Sequence, residues 1–257
     1  MTTLITGASG GIGLELAHVF AAHGHPLILV ARSADKLEEL ARALRDRYKV
    51  AVEVIPFDLG AVGAAERLQA EVAERGLTVE ILVNNAGFGL YGSYLELEGA
   101  QEQAMIQLNI GVLTDLTKRF LPGMVERKRG GVLNVASTAA FQPGPGMAVY
   151  YATKAYVLSY SEALHHELQG TDVTVTALCP GPTRSGFQSV AGFGQKPAIE
   201  RVMMEARPVA EQGYAAFMRG EAVRIPGFMN KLGAFSVRLA PRRLAVILSA
   251  AMAKQFK

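Results

Sequence analysis

The sequence has little cysteine and no tryptophan: Cys179 is its one cysteine among 257 residues. A single cysteine excludes a disulfide-stapled scaffold and a multi-cysteine zinc site, and it suits a reducing compartment. The histidines, aspartates and glutamates show no metal-ligand spacing either. We therefore predict that the protein holds no metal.

Long apolar runs and a strong net charge are also missing. No run approaches the ~18 apolar residues that a membrane-spanning helix needs. The apolar stretch after Met1 has no basic segment before it and is soon broken by glycines, which argues against a signal peptide. Lysine and arginine number 26 against 23 acidic residues, too small an excess to indicate nucleic-acid binding. We expect a soluble cytoplasmic protein.

Hydrophobic residues are plentiful, at 50% of the chain, so a large core can form without staples. Short apolar runs alternate with longer helical patterns, an order typical of βαβ units and a parallel sheet. The fold class predicted is α/β: one domain over 1–257, a doubly wound parallel sheet with helices on both faces. Strands are predicted at 2–6, 27–31, 50–56, 81–84, 132–137, 173–179 and 222–226. Helices are predicted at 12–22, 33–48 (with Ser33 as the cap), 62–75, 100–128 and 149–169. Between them we expect loops at 138–147 and about 180–197, a helical insertion at about 185–221 and a basic extension at about 228–257.

A glycine-rich loop, Thr6-Gly7-Ala8-Ser9-Gly10-Gly11-Ile12-Gly13, joins the first predicted strand to the first helix. Glycines permit a tight turn and let backbone N–H groups approach a pyrophosphate at the helix N-terminus. The spacing is G-x-x-x-G-x-G, and such a loop alone is weak evidence, since glycine turns without a ligand are common. Its place between strand and helix in an α/β pattern favours a dinucleotide site.

The residue after the second predicted strand is Arg32, where NAD-binding folds of this kind place an acidic residue for the ribose 2′-hydroxyl. An arginine there can pair with a 2′-phosphate, which favours NADP over NAD. A solvated arginine at a strand end is the alternative. Gly10 stands where a second basic residue would strengthen the preference for NADP, so the preference is expected to be moderate.

Tyr150 and Lys154 lie four residues apart on a predicted helix, so they project from one face. A nearby ammonium stabilises a phenolate and lowers the pKa of a tyrosine, whose reference value is ~10. Ser137, at the end of a predicted strand, is placed to hold a carbonyl or hydroxyl oxygen beside it. Tyr151 points about 100° away on the helix and is expected to serve packing or a subunit contact.

Together these motifs resemble the short-chain dehydrogenase/reductase family, in its single-domain Rossmann-fold branch, over nearly the whole chain. The resemblance implies that Asn109, Ser137, Tyr150 and Lys154 are catalytic, with Asn109 supporting a water-linked proton relay to the lysine. It also implies a cofactor site that includes Tyr150 and Lys154. Its other residues are Gly7, Ser9, Gly11, Ile12, Gly13, Arg32, Asp58, Leu59, Asn85, Ala86, Gly87, Pro180, Gly181 and Thr183.

The activity implied by the resemblance is NAD(P)-dependent interconversion of a carbonyl and an alcohol, with Tyr150 as proton donor. The substrate loop, about 185–195, contains Phe187 and Phe193, and Met203, Met204 and Met218 follow, so we expect an apolar substrate of lipid, steroid or 3-oxoacyl type. An NAD-linked alcohol dehydrogenase and an NADP-binding sensor without turnover are the alternatives. Family members are usually homodimers or homotetramers, and we expect the same here.

The charge is distributed unevenly. After Glu221 the chain has no acidic residue but seven lysines and arginines, while the first 221 residues carry 19 basic and 23 acidic residues. Residues 244–253 can form an amphipathic helix among these cations. Burial of its apolar face on the domain or on another subunit is the favoured interpretation. Docking on an anionic membrane surface or at a substrate entrance is the alternative.

Overall fold

A computed structural model describes residues 1–192 and 203–254. The middle of the predicted insertion, including Phe193, and the last cation, Lys257, lie outside the described residues.

The centre of the molecule is a seven-stranded parallel sheet in the order β3-β2-β1-β4-β5-β6-β9. Its inner strands are almost entirely buried because both faces are covered by helices; β2, for example, is apolar and buried at every residue. The α/β prediction is confirmed. The strands of this sheet are β1 Thr3–Thr6, β2 Leu27–Ala31, β3 Val52–Pro56, β4 Ile81–Asn84, β5 Gly130–Val135, β6 Val173–Leu178 and β9 Val223–Arg224, and a second parallel pair is formed by β7 Thr183–Arg184 and β8 Met204–Glu205.

Helices cover the two faces of the sheet and enclose two main apolar layers. One layer lies under α1, α2 and α8, and the other under α3, α5 and α6. The helices are α1 Gly11–Ala22, α2 Ala34–Tyr48, α3 Ala64–Glu74, α4 Gly99–Ile106, α5 Leu113–Glu126, α6 Ala148–Glu167, α7 Phe187–Ala191, α8 Ala206–Met218, α9 Phe228–Leu239 and α10 Arg242–Lys254.

Three elements differ from their sequence-based predictions. The helix predicted at 100–128 contains a π-helical segment, Gln107–Val112, between α4 and α5. The loop predicted at about 180–197 includes β7 and α7, and β7 pairs with β8 some twenty residues on, a contact that local periodicity does not encode. The strand predicted at 222–226 shortens to two residues, because only Val223 and Arg224 pair with β6.

None of the helices that the structure describes combines the length and the apolar character needed to cross a membrane.

Candidate active site

The predicted site residues collect at one edge of the sheet. In a parallel sheet all carboxyl ends lie at the same edge, and that edge is where open α/β sheets bind ligands. Six neighbouring strands each deliver one group of site residues there. The groups are the loop 7–13 after β1, Arg32 after β2, Asp58 and Leu59 after β3, Asn85–Gly87 after β4, Ser137 after β5, and Pro180–Thr183 after β6.

The glycine loop is fastened to the end of β4 by the Asn85 side chain. Asn85 Nδ2 donates to the carbonyl oxygens of Thr6 at 3.0 Å and of Gly7 at 3.1 Å. A β-carbon at Gly13 would overlap both the Gly7 carbonyl and Asn85 Nδ2. Gly7 itself has φ +65°, a conformation that other residues rarely adopt. The loop conformation therefore needs glycine at these two positions.

The N-terminus of α1 fits a bound anion. The helix begins at Gly11 with no side-chain cap and no acidic residue in its first turn, so its first N–H groups have no side-chain acceptor. A β-carbon at Gly10 would meet nothing within 4 Å, which leaves open space beside the loop. Uncapped N–H groups at a helix N-terminus are what a pyrophosphate binds. The residues present thus fit a dinucleotide.

Two strand ends beyond this loop carry Arg32 and Asp58. Arg32 is exposed and makes no ion pair or hydrogen bond with any residue that the structure describes, so its guanidinium is available to a ligand. Asp58 Oδ1 accepts a hydrogen bond from the Gly60 N–H at 2.9 Å, which holds the turn after β3. The Leu59 side chain is buried in the core, so only its backbone is available to an adenine.

Tyr150 and Ser137 meet at the centre of the edge. The Ser137 side chain lies beside the Tyr150 hydroxyl, and Ser137 Oγ accepts from the Ala139 N–H at 3.1 Å and donates to the Pro180 carbonyl at 3.4 Å. Burial raises the pKa of Tyr150 to about 12, although the neighbouring Ser137 hydroxyl opposes the rise. In the protein alone, Tyr150 therefore holds its proton firmly.

Lys154 lies on the same face of α6 as Tyr150. Its Nζ donates to the Val135 carbonyl at 2.8 Å and stands 5.8 Å from the centre of the Tyr150 ring. Burial lowers the pKa of Lys154 to about 8. The ammonium is thus a short-range positive charge behind the phenol, and the sheet fixes its position.

Asn109 lies in the π-helical segment, a feature that is frequent at functional sites. Its Oδ1 accepts from the Phe88 N–H at 3.1 Å, and its Nδ2 donates to the Phe88 carbonyl at 2.9 Å and to Thr153 Oγ1 at 3.1 Å. A β-carbon at Gly87 would lie 2.7 Å from Asn109 Oδ1 and 3.8 Å from Lys154 Nζ. The asparagine therefore braces the segment after β4 against α6, and its side chain is fully engaged.

One part of the surroundings of Tyr150 is apolar. Met105 and Met147 pack against it, and the ring of Phe187, from the first turn of α7, lies 5.2 Å from the Tyr150 ring, centre to centre. The expected Met203, Met204 and Met218 are not among the residues of this apolar cluster, although Met203 Sδ lies 3.7 Å from Gln188 Nε2 on α7. Met204 packs near Asn230, with its Sδ 3.7 Å from Asn230 Nδ2, and Met218 is exposed.

Sequence reasoning missed two polar residues that hold the site. Thr6 Oγ1 accepts the backbone N–H groups of Asn85 and Ala86, each at 3.0 Å. Thr153 joins Asn109 to α6 and donates to the Tyr150 carbonyl at 2.7 Å. The sequence signals for these roles were the position of Thr6 directly before the first glycine of the loop and the position of Thr153 about one helical turn after Tyr150.

The other side of α6 faces a separate cleft of about 590 Å³ between that helix and the C-terminal helices. Tyr151 lines it and lies beside Ser249 and Gln142, in keeping with the packing role expected of it. Tyr150 does not line it.

Cys179 is fully buried, and burial raises the pKa of its thiol to about 12. No group of three or more potential ligands within the described residues could hold a metal ion.

A parallel sheet with this glycine loop and these residues at its carboxyl edge defines a dinucleotide-binding α/β protein. Comparison with known proteins is more specific: the family model described as short chain dehydrogenase matches residues 1–192. The chain belongs to that family, and its fold is the family's Rossmann fold.

Named relatives differ in what they act on. The human very-long-chain 3-oxoacyl-CoA reductase is 34% identical over 182 residues, which cover 69% of this chain and 57% of that protein. The chain thus matches less than two thirds of that relative's length. Sulfoacetaldehyde reductase 2 of Chromohalobacter salexigens is 35% identical over 229 residues, which cover 88% of this chain and 90% of that protein. A short-chain dehydrogenase from Sphingobium yanoikuyae, solved with NADPH, is 34% identical over 93% of both chains, with a TM-score of 0.83.

Proposed function

We propose that the protein is an NADPH-dependent oxidoreductase that reduces a carbonyl group on an apolar substrate. The observation that carries this proposal is the placement of the Ser137 side chain beside the buried Tyr150 hydroxyl, with the Lys154 ammonium behind the phenol. A protein that only bound a dinucleotide would need no proton donor at this point.

Each of the three side chains has a distinct task. Ser137 hydrogen-bonds the substrate oxygen and orients it beside the Tyr150 hydroxyl. Tyr150 gives its proton to that oxygen as negative charge develops there, and the Lys154 ammonium stabilises the phenolate that remains. Bound NADPH would supply the hydride. Asn109 acts as a positioning residue, because its side chain is committed to Phe88 and Thr153.

The proposed cofactor is NADPH rather than NADH. The loop from Gly7 to Gly13 and the uncapped end of α1 would hold the pyrophosphate, and the exposed Arg32 would pair with the 2′-phosphate. Asp58 and the Leu59 backbone would meet the adenine, and Asn85–Gly87 and Pro180–Thr183 would border the nicotinamide half. The NADPH bound to the Sphingobium relative supports this choice.

The substrate class follows from the lining and not from the relatives' names. Of the two relatives that are named for a substrate, one is a reductase of a long acyl thioester and the other of a small sulfonated aldehyde. Around Tyr150 the described neighbours Met105, Met147 and Phe187 are apolar, and none of them could pair with a sulfonate. This lining supports a ketone or aldehyde with an apolar body, such as a lipid, a steroid or a 3-oxoacyl chain.

Two further proposals concern assembly and location. We propose a homodimer or homotetramer, as is usual in the family. We also propose a cytoplasmic location, which suits a lone cysteine that is buried as a thiol. Sedimentation analysis of the purified chain tests the first, and cell fractionation tests the second.

The proposed activity is tested by NADPH oxidation against a panel running from small aldehydes to steroids and long-chain 3-oxoacyl thioesters. Tyr150→Phe keeps the ring and removes the proton donor, so turnover should fall by roughly 10²–10⁴-fold. Tyr151→Phe is the matched control, since Tyr151 lies on the other side of α6, and it should stay near wild type. Equal losses in both variants, or full activity in Tyr150→Phe, would reject the proposed role.

A further inference from the structure

The C-terminal segment, residues 228–254, exposes most of the large apolar side chains found on the described surface. Fourteen large hydrophobic residues are exposed in the part of the chain that the structure describes, and five of them are scattered over residues 62–218. The other nine lie in this segment: Phe228, Met229, Leu232, Phe235, Leu239, Leu244, Val246, Ile247 and Leu248. Scattered single residues need no explanation, whereas such a concentration marks an interaction surface.

Helix α9 faces outward with its most apolar side. Phe228, Leu232, Phe235 and Leu239 follow one another at intervals of four, three and four residues, so they form one stripe along the helix. Phe228 is 78% exposed and Leu239 is 75% exposed. The opposite side carries the buried Ala234 and Asn230, whose side chain lies against Gly181.

Helix α10 has the same arrangement. Its small residues Ala245 and Ser249 are buried, and Ser249 lies beside Tyr151 of α6. Leu244, Ile247 and Leu248 are exposed. Both helices are thus attached to the protein by small or polar side chains and leave their large apolar side chains to solvent, contrary to burial of that face on its own domain.

Every charged residue in this segment is cationic. Lys231 and Arg238 lie beside the α9 stripe, and Arg242 and Arg243 begin α10. None of these four forms an ion pair with an acidic side chain within the described residues, and the sequence has no acidic residue after Glu221. Apolar residues bordered by several unpaired cations are the composition of a helix that lies on an anionic lipid surface.

A second copy of the chain is the less favourable occupant. A two-fold interface sets the same surface of each subunit against itself. The cations of one segment, Lys231, Arg238, Arg242 and Arg243, would then be brought close to the same set on the other subunit with no carboxylate in either segment to pair with, and like charges brought together oppose association. Anionic headgroups pair with all four.

We propose that the C-terminal segment docks the protein on an anionic membrane surface, with the exposed side chains of α9 and α10 entering the headgroup layer and the cations pairing with lipid phosphates. The segment lies on the bilayer and does not cross it. This inference does not depend on the proposed reductase activity.

The test is flotation of the full chain with phosphatidylcholine vesicles, with and without phosphatidylglycerol. We expect the wild-type protein to float with the anionic vesicles only and to be released by high salt. Phe235→Asp should reduce the bound fraction by at least about tenfold, and Lys231→Glu with Arg238→Glu should do the same. Point variants are preferable to truncation, because Asn230 and Ser249 fasten the segment to the rest of the protein.

Matched controls separate this surface from general stickiness. Leu95→Asp changes a residue that is 92% exposed outside the segment, and Arg42→Glu reverses an exposed cation on α2; both should float as wild type. Circular dichroism and thermal unfolding check that each variant is folded. Absence of flotation with anionic vesicles, or equal losses in the controls, would overturn the proposal. So would a wild-type oligomer that Phe235→Asp converts to monomers in lipid-free buffer, since this would make the face a subunit interface.

Discussion

The carboxyl edge of the sheet and the C-terminal segment arrange their side chains in opposite ways. At the centre of the edge, around Tyr150, polar groups are buried and paired: Asn109 is 1% exposed and its amide makes three hydrogen bonds. In the C-terminal segment, large apolar groups are exposed and unpaired cations border them. The first arrangement satisfies its polar groups within one chain, whereas the C-terminal segment has a surface that one chain does not cover.

This difference determines how each region responds to substitution. Buried and paired groups cannot change without disturbing their partners, so small changes at the edge should have large effects on binding and catalysis. Exposed side chains in the C-terminal segment should tolerate changes as long as the protein is alone in solution.

The largest effect on cofactor binding is expected where an atom would be added to the most crowded part of the edge. In Gly13→Ala the new methyl group overlaps the Gly7 carbonyl and Asn85 Nδ2. Overpacking of this kind costs about 1–3 kcal/mol, and here it also displaces the loop that would hold the pyrophosphate. We expect NADPH affinity, measured by fluorescence titration, to fall about tenfold or more.

Gly10→Ala is the matched control for that substitution. The backbone at Gly10 is extended, with φ −177°, and a β-carbon there would meet nothing within 4 Å. NADPH affinity should stay within about twofold of wild type, as for other changes at unstrained surface positions. A loss as large as that of Gly13→Ala would show that the loop binds its ligand in another conformation.

The pH dependence of the reaction comes next in size. Burial lowers the pKa of Lys154 to about 8, so the ammonium is charged below that pH and loses its charge as the pH rises through it. Without this charge the Tyr150 phenolate is less stable and the phenol is a weaker acid. We expect kcat/KM for carbonyl reduction to be flat below about pH 8 and to fall about tenfold per pH unit above it.

Lys154→Arg distinguishes this cause from others. A guanidinium keeps its charge across the whole range, so the decline at high pH should move upward even if the longer side chain lowers the rate overall. An unchanged decline near pH 8 in the variant would assign it to a group other than Lys154.

Much of this edge could be predicted from the sequence, because it is encoded locally. The glycine loop, the strand-end positions of Arg32 and Ser137, and the four-residue spacing of Tyr150 and Lys154 each depend on one element and its immediate neighbours. The order of apolar runs likewise predicted the parallel sheet. What brings these pieces to one edge is the right-handed βαβ connection, which is general to such folds.

Other features depend on contacts between distant parts of the chain, and the sequence pattern did not reveal them. The pairing of β7 with β8 and the position of Phe187 over Tyr150 are of this kind. So is the outward orientation of α9. Its periodicity shows that one face is apolar, but a periodic pattern cannot say whether that face meets the core, another molecule or solvent.

The preference for NADPH over NADH can be tested with variants of two exposed cations, one in each region. Arg32 follows β2 at the edge, and Arg238 lies on α9. If Arg32 pairs with a 2′-phosphate, Arg32→Ala should lower the ratio of kcat/KM with NADPH to that with NADH by about tenfold, since a hydrogen bond to a charged group contributes about 1.5–3 kcal/mol. Arg238→Ala should leave the ratio unchanged. Equal ratios in wild type and Arg32→Ala would remove Arg32 from the cofactor site.

The smallest effect is expected on the outer face of α9, and it bears most directly on the contrast between the regions. Phe20 is fully buried, with its ring 4.9 Å from that of Tyr214, so Phe20→Ala should cost about 3–5 kcal/mol in the free energy of unfolding. Phe235 is 58% exposed, and Phe235→Ser should change that free energy by less than about 0.5 kcal/mol. Urea unfolding without lipid measures both. A loss of about 2 kcal/mol or more in Phe235→Ser would mean that this ring is packed in solution, because only a side chain withdrawn from water can contribute so much. The face would then be covered by protein before any membrane is present, and the C-terminal segment would resemble the core rather than contrast with it.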